Sequence, residues 1–266
     1  MADPPVRLER SEALSIVTLD RPNAHNALNA ETISDLVRAF EDVEADRSVR
    51  GVVITGAGDR SFCAGADLDE LNGLSFERAR KVLTAGQRAI SVIAECSVPV
   101  IAAVNGLALG GGFELALACT FPILSTRAAL GLPETGLGLI PGYGGTQRLP
   151  RVVGPAVAAH AILTGERITA ERAFELGLTP LAPVEPAKLL DFALGVARRI
   201  AERGPAATSD VLTALRTGAA KREDLALETT LAARAAASAE AAEGISAFKE
   251  RRAPHYLDRS ISEDPS

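Results

Sequence analysis

The chain has 266 residues, enough for one large domain, or a domain with an appendage, built on a sizeable core. Its 47% hydrophobic and 23% charged residues suit a globular fold, and a formal net charge of −6 argues against non-specific nucleic-acid binding, which needs clustered Lys and Arg. Cys63, Cys96 and Cys119 lack C-x-x-C spacing, so they offer neither a disulfide framework nor a zinc site, and every apolar run stops well short of a membrane span.

Residues 13–19 alternate like a strand and end in the turn chemistry of Asp20-Arg21-Pro22-Asn23. A loop over 24–29 leads into a helix, with Asn29 as N-cap and Ile33, Leu36, Val37, Phe40 and Val43 at helical spacing. Residues 51–56 read as a short buried strand, 62–68 as a tight turn of small residues, and 76–94 as a helix. An apolar strand runs from Pro99 to Asn105-Gly106, the glycines Gly110, Gly111 and Gly112 follow, and Glu114 then sits inside the helical pattern Leu115-Ala116-Leu117-Ala118. Residues 122–125 form another short strand, and 139–150 a glycine-rich loop leading into a helix. The remainder reads as helices, most plainly 188–202 and 223–242, whose alanine-rich part is a good helix former. The fold class is therefore α/β, with a core over 1–199, a helical region over 200–256 and a frayed tail from Leu257. With acids at Asp3 and Glu9 and no basic-then-apolar leader, the expected location is the cytoplasm.

The stretch 99–119 organises the rest. Strand, glycine turn and helix bring free backbone N–H groups to a helix start, where the dipole favours negative charge. Taken alone, Glu114 reads more readily as an acid satisfying that dipole than as a catalytic group. A second acid, Glu134, follows in Gly131-Leu132-Pro133-Glu134. The glycine turn lacks both the Lys-Ser/Thr ending of a P-loop and the spacing of a dinucleotide fingerprint. No motif sets a His beside Cys63, which reads as a small buried residue; His25, His160 and His255 are scattered. Residues 142–146 read as structural, shaping a wall and the start of a helix.

Several pieces together resemble the crotonase superfamily, and most of all the enoyl-CoA hydratases. They are Asp20-Arg21-Pro22 with Asn26-Ala27-Leu28, Phe62-Cys63-Ala64-Gly65-Ala66-Asp67-Leu68, and Val104-Asn105-Gly106 with Gly110-Gly111-Gly112-Phe113-Glu114. Leu132-Pro133-Glu134 with Pro141-Gly142-Tyr143-Gly144-Gly145-Thr146-Gln147-Arg148-Leu149 follows, then Leu163-Thr164-Gly165, Ala173-Phe174-Glu175-Leu176-Gly177-Leu178 and Glu243-Gly244-Ile245-Ser246-Ala247-Phe248. The similarity spans about residues 8 to 256 in the right order. It implies ββα turns wound into a spiral, with C-terminal helices that build a trimer, often paired into a hexamer. It also implies a hydro-lyase without metal or prosthetic group, adding water reversibly and syn to a trans-2-enoyl-CoA, as in fatty-acid or related acyl-CoA degradation.

Such a reaction needs donors for the thioester oxygen as an enolate develops, and two carboxyl groups around one water. The resemblance assigns the donors to the N–H groups of Ala66 and Gly111, water activation to Glu114 and proton delivery at C2 to Glu134. Burial and mutual repulsion would drive the two acids to opposite charge states. The resemblance further implies CoA contacts at Ala24, His25, Ala27, Ala64, Ala66, Asp67 and Leu68. Phe248 and Lys249 would close over them from a helix that a neighbouring subunit could supply. Arg21 is either a CoA phosphate contact or a solvated loop charge, and Asp67 is expected to cap the following helix rather than bind metal. Where the family usually has Asp, an aromatic and a β-branched aliphatic, this chain has Thr120, Leu130 and Thr135; the last two are expected to line the acyl pocket. Double-bond isomerases of the superfamily commonly keep only the Glu134 acid, so retention of both favours hydration. An enoyl-CoA isomerase or other acyl-CoA-processing relative, a thioester hydrolase and a non-catalytic acyl-CoA-binding protein are the alternatives.

Overall fold

The strands form two sheets in the computed structural model, which describes residues 4–216 and 222–252, and the middle of the chain alternates between them. The first sheet opens with an antiparallel pair, β1 (Val6–Ser11) and β2 (Leu14–Leu19). After α1 (Ala30–Ala45), β3 (Gly51–Gly56) joins β2 in parallel, while β4 (Ser61–Cys63) starts the second sheet. The short α2 (Leu68–Leu71) and the long α3 (Phe76–Ala94) complete that turn. The unit then repeats: β5 (Val100–Val104) beside β3, β6 (Leu107–Leu109) beside β4, then α4 (Gly111–Ala118). A third unit places β7 (Phe121–Leu124) beside β5 and β8 (Ala129–Gly131) beside β6, followed by a 3-10 turn, Glu134–Leu137, and by α5 (Gly145–Val153) and α6 (Pro155–Thr164). The two-residue β9 (Ile168–Thr169) closes the second sheet antiparallel to β8. Then come α7 (Ala170–Glu175), α8 (Leu189–Ala201), α9 (Pro205–Arg216), α10 (Arg222–Ala236) and α11 (Ala239–Glu250). The strand orders β1-β2-β3-β5-β7 and β4-β6-β8-β9 are those of a spiral of ββα turns.

The two faces of the first sheet bury different clusters, because successive side chains of a strand point to opposite sides. Val52, Ile54, Ala102, Val104 and Leu124 face the main core with α1 and α3, whereas Val53, Ile101, Ala103 and Ile123 face Leu189, Ala193, Leu194 and Ala197 of α8. Burial on both sides explains why β3 and β5 read as unbroken apolar runs.

The expected helix over 223–242 is two helices. Ser238 interrupts it as the N-cap of α11, its side chain accepting the Ala241 N–H. The break turns α11 back, so that α10 packs on α3 and α11 on the Glu134–Leu137 turn. Strands β4, β6 and β8 have three residues each; β4 overlaps the stretch expected as a tight turn, and the sequence reading assigns no strand to the other two. The tail from Leu257, and His255, lie outside the described residues.

Candidate active site

The first half of the site is a pair of loops sewn together by backbone. Leu28 donates its N–H to Gly65 O at 2.8 Å and accepts the Asp67 N–H at 3.0 Å, a parallel bridge that directs the N–H of Ala66, between them, to the opposite side. Buried Asn26 fixes the first loop, its Nδ2 donating to Ala57 O at 3.0 Å and to Ser61 O at 2.9 Å. Arg21 ties both loops, donating to Ala27 O at 2.6 Å and to Asp67 Oδ2 at 3.2 Å. Asp67 thus neutralises Arg21 and, as expected, caps α2 by accepting the Asp69 N–H.

The second half is the start of α4. Gly110 adopts φ +50°, a conformation costly for a residue with a Cβ, and swings the chain from β6 into the helix. Gly111 is the first helical residue, so its N–H has no partner within the helix. A methyl group on Gly111 would lie 3.5 Å from Ala66 N, which sets the two backbone N–H groups side by side.

Glu114, on the first turn of α4, is 1% exposed. Its Oε1 accepts the Tyr143 N–H at 2.8 Å and the Gly145 N–H at 2.7 Å. Two donors on one oxygen suit a carboxylate, which offers only acceptors. Glu134 arrives from the other side on the 3-10 turn after Pro133. Its Oε1 sits over Gly110, where a methyl group would lie 2.9 Å away, and its Oε2 is shielded from solvent. Helix α11 presses on that turn: a methyl on Gly244 would lie 2.7 Å from Leu137 Cα.

Ala66, Gly111, Glu114 and Glu134 line one cavity of about 440 Å³. Of the residues expected to meet CoA, His25, Ala64, Leu68 and Phe248 also line it. The others stand outside its lining: Ala24 and Ala27 belong to the loop that Arg21 braces, Asp67 pairs with Arg21, and Lys249 pairs with Asp69. Phe248 and Lys249 meet the cavity and α2 of their own chain. Leu130 and Thr135 correct the sequence expectation. Leu130 is fully buried in the core, and Thr135 turns its hydroxyl to Ile162 O at 3.0 Å; neither lines the cavity. Thr120 accepts the Val100 N–H at 3.0 Å, a purely structural bond.

Tyr143 and Gly145 are the contributors that sequence reasoning passes over. The loop before α5 and the first residue of that helix supply the clamp on Glu114, and Arg148 braces it by donating to Tyr143 O at 2.6 Å. The Tyr143 ring is buried beside Gly111, and burial together with the Glu114 charge pushes its phenol well above the usual range. Burial also pushes the Cys63 thiol up to about 12, which removes it as a nucleophile.

A family model described as enoyl-CoA hydratase/isomerase matches residues 9–259. The chain is 40% identical over 261 residues to the crotonyl-CoA hydratase of Syntrophomonas wolfei, covering 97% of this chain and 100% of that protein. It is 40% identical over 259 residues to the 2,3-dehydroadipyl-CoA hydratase of Escherichia coli K12, covering 95% and 98% respectively. Among solved structures, an enoyl-CoA hydratase from Bacillus anthracis matches with a TM-score of 0.78 at 36% identity, covering 95% of this chain and 98% of that one.

Proposed function

The chain belongs to the enoyl-CoA hydratase/isomerase family, and we propose that Ala66, Gly111, Glu114 and Glu134 carry out its hydration of an enoyl-CoA. It is a hydro-lyase that acts on a CoA thioester and needs no prosthetic group. The observation behind the assignment of roles is that two acids and two backbone N–H groups share one cavity.

In this reading the thioester oxygen accepts the N–H groups of Ala66 and Gly111. As water adds to C3, electrons move through the double bond onto that oxygen, and the two donors stabilise the enolate; each such donor is worth about 2.7–4 kcal/mol in comparable sites. Glu114, held in one rotamer by its two backbone donors, takes a proton from the water. Glu134 gives its proton to C2 as the enolate collapses. One proton is gained and one given by the pair, so a proton passing from Glu114 to Glu134 resets the site. Glu134 sits over Gly110, Glu114 rises from the helix that the same glycine turn begins, and both line one cavity, an arrangement that supports syn addition.

We also propose a homotrimer or a dimer of trimers. Val211, Leu215 and Leu163 are largely exposed on the single chain, as self-association would require. The three free, buried cysteines fit the reducing environment of the cytoplasm.

The test is product analysis with crotonyl-CoA. Loss of the conjugated-thioester absorbance with formation of 3-hydroxybutyryl-CoA supports the reading. A shifted double bond from a 3-enoyl substrate without hydration would mark an isomerase, free CoA a hydrolase, and binding without turnover a non-catalytic binder.

A further inference from the structure

Part of the cavity lining is a packed apolar wall, and that wall bears on the acyl group. Leu71, Leu83, Gly142, Tyr143 and Ala232 form it, bringing together α2, α3, α10 and the loop before α5. The elements are in contact there: a methyl on Gly142 would lie 2.9 Å from Leu83 Cδ2 and 3.2 Å from Ala232 Cβ. The Tyr143 ring fills a slot between two glycines. A methyl on Gly86 would lie 2.6 Å from its hydroxyl oxygen, and one on Gly111 would lie 2.8 Å from its Cδ2. The ring is 2% exposed, and its backbone is tied at both ends, to Glu114 and to Arg148. It cannot swing aside without loosening Glu114.

Among the described residues the wall is also uncharged. Arg167, the arginine among the described lining residues, lays its stem against Gly131 of β8 rather than against α3 or α10. A carboxylate pushed against Leu83, Tyr143 and Ala232 would lose its hydration and find no cation there. The two relatives at 40% identity are named for a short alkenyl substrate and for a dicarboxylic one, so identity does not choose between them.

Resting on the hydratase reading above, we infer that the acyl pocket is blind and apolar and selects short, uncharged enoyl-CoAs, with Tyr143, Leu83 and Ala232 as the residues that set the limit. The experiment compares kcat/KM for crotonyl-, trans-2-hexenoyl-, trans-2-decenoyl- and 2,3-dehydroadipyl-CoA in the wild type and in Leu83→Ala, Tyr143→Ala, Ala232→Leu and Arg167→Gln. One methylene in a tight apolar pocket changes discrimination by about tenfold or more. The wild type should therefore favour crotonyl- over decenoyl-CoA, and hexenoyl- over dehydroadipyl-CoA, each by at least that factor. Leu83→Ala and Tyr143→Ala, two independent ways to open the wall, should raise the decenoyl-to-crotonyl ratio, and Ala232→Leu should lower the hexenoyl-to-crotonyl ratio. Ratios that stay fixed in every folded wall variant would overturn the inference. So would a preference for dehydroadipyl-CoA that disappears in Arg167→Gln. Equal turnover of all four substrates would sink the pocket inference alone, whereas a folded protein that hydrates none of them would sink the hydratase reading beneath it.

Discussion

Gly145 donates its backbone N–H to Glu114 Oε1 at 2.7 Å, across 31 residues of sequence, and the carboxylate is thereby held by a loop rather than by its own helix. Replacing Glu114 by Gln leaves an acceptor for the Gly145 and Tyr143 N–H groups. Replacing it by Ala leaves two buried donors unmet, which costs about 1–3 kcal/mol for each group of this kind. Urea unfolding should therefore show Glu114→Ala clearly less stable than Glu114→Gln. Equal midpoints would mean that the loop does not lean on the carboxylate.

The donors proposed for the thioester oxygen make opposite demands on side chains. Ala66→Gly keeps the N–H and should lose less than about tenfold in kcat, far below the hundredfold or more expected for a lost donor. Gly111→Ala adds a Cβ 2.8 Å from the Tyr143 ring, so the ring or the start of α4 that carries the donor must shift, and it sets that Cβ in contact with Ala66 N at 3.5 Å. Its kcat should fall by about 10²–10³, the loss typical of a displaced oxyanion donor. Steady-state rates on crotonyl-CoA decide, and a fully active Gly111→Ala would remove this pair from the mechanism.

The thiols predict a pH dependence. Burial pushes Cys63 and Cys96 from 9.0 up to about 12, and pushes Cys119 up as well. The folded chain keeps these protons above pH 9, while the unfolded chain releases them. Stability is thus fully present below the unfolded value of 9.0 and is lost as pH rises from there towards 12. Tm should fall over that window, and iodoacetamide should label the denatured but not the native protein near pH 8. Rapid labelling of the native protein would contradict the buried, neutral thiols.

Ser238 predicts a local effect. Ser238→Ala removes the cap on α11 and should cost about 0.5–2 kcal/mol. Hydrogen exchange should speed up in α11 and in the Glu134–Leu137 turn beneath it, while β3 and β5 keep their protection. Unchanged exchange in both segments would mean that the cap does not hold α11 in place.

What the chain declares in sequence follows from how each feature is encoded. Helix α3 is legible to the residue because its apolar positions recur over five turns, and Asn29 is legible because a cap is a residue type at a position. Glu114 and Glu134 are legible as acids in unusual company. The clamp on Glu114 is not, because backbone N–H groups leave no residue signature and the two ends are brought together only by the spiral. Strands β4, β6 and β8 are too short to show a period, and they become strands only by pairing with one another. Leu130 and Thr135 mislead for a related reason: nearness in sequence to a site residue does not aim a side chain into the cavity, and Leu130 packs into the core from β8 while Thr135 bonds to α6.

The most direct measurement of the two-acid mechanism is kcat for crotonyl-CoA hydration in the wild type, Glu114→Gln, Glu134→Gln and the double variant. General acid–base groups contribute about 10²–10⁴ each, and groups that act on one water as a unit are strongly non-additive. Each single variant should lose that much, and the double variant should fall little below the worse single one. A single variant that hydrates at the wild-type rate would contradict the mechanism and leave one of the two acids with a purely structural place in the fold.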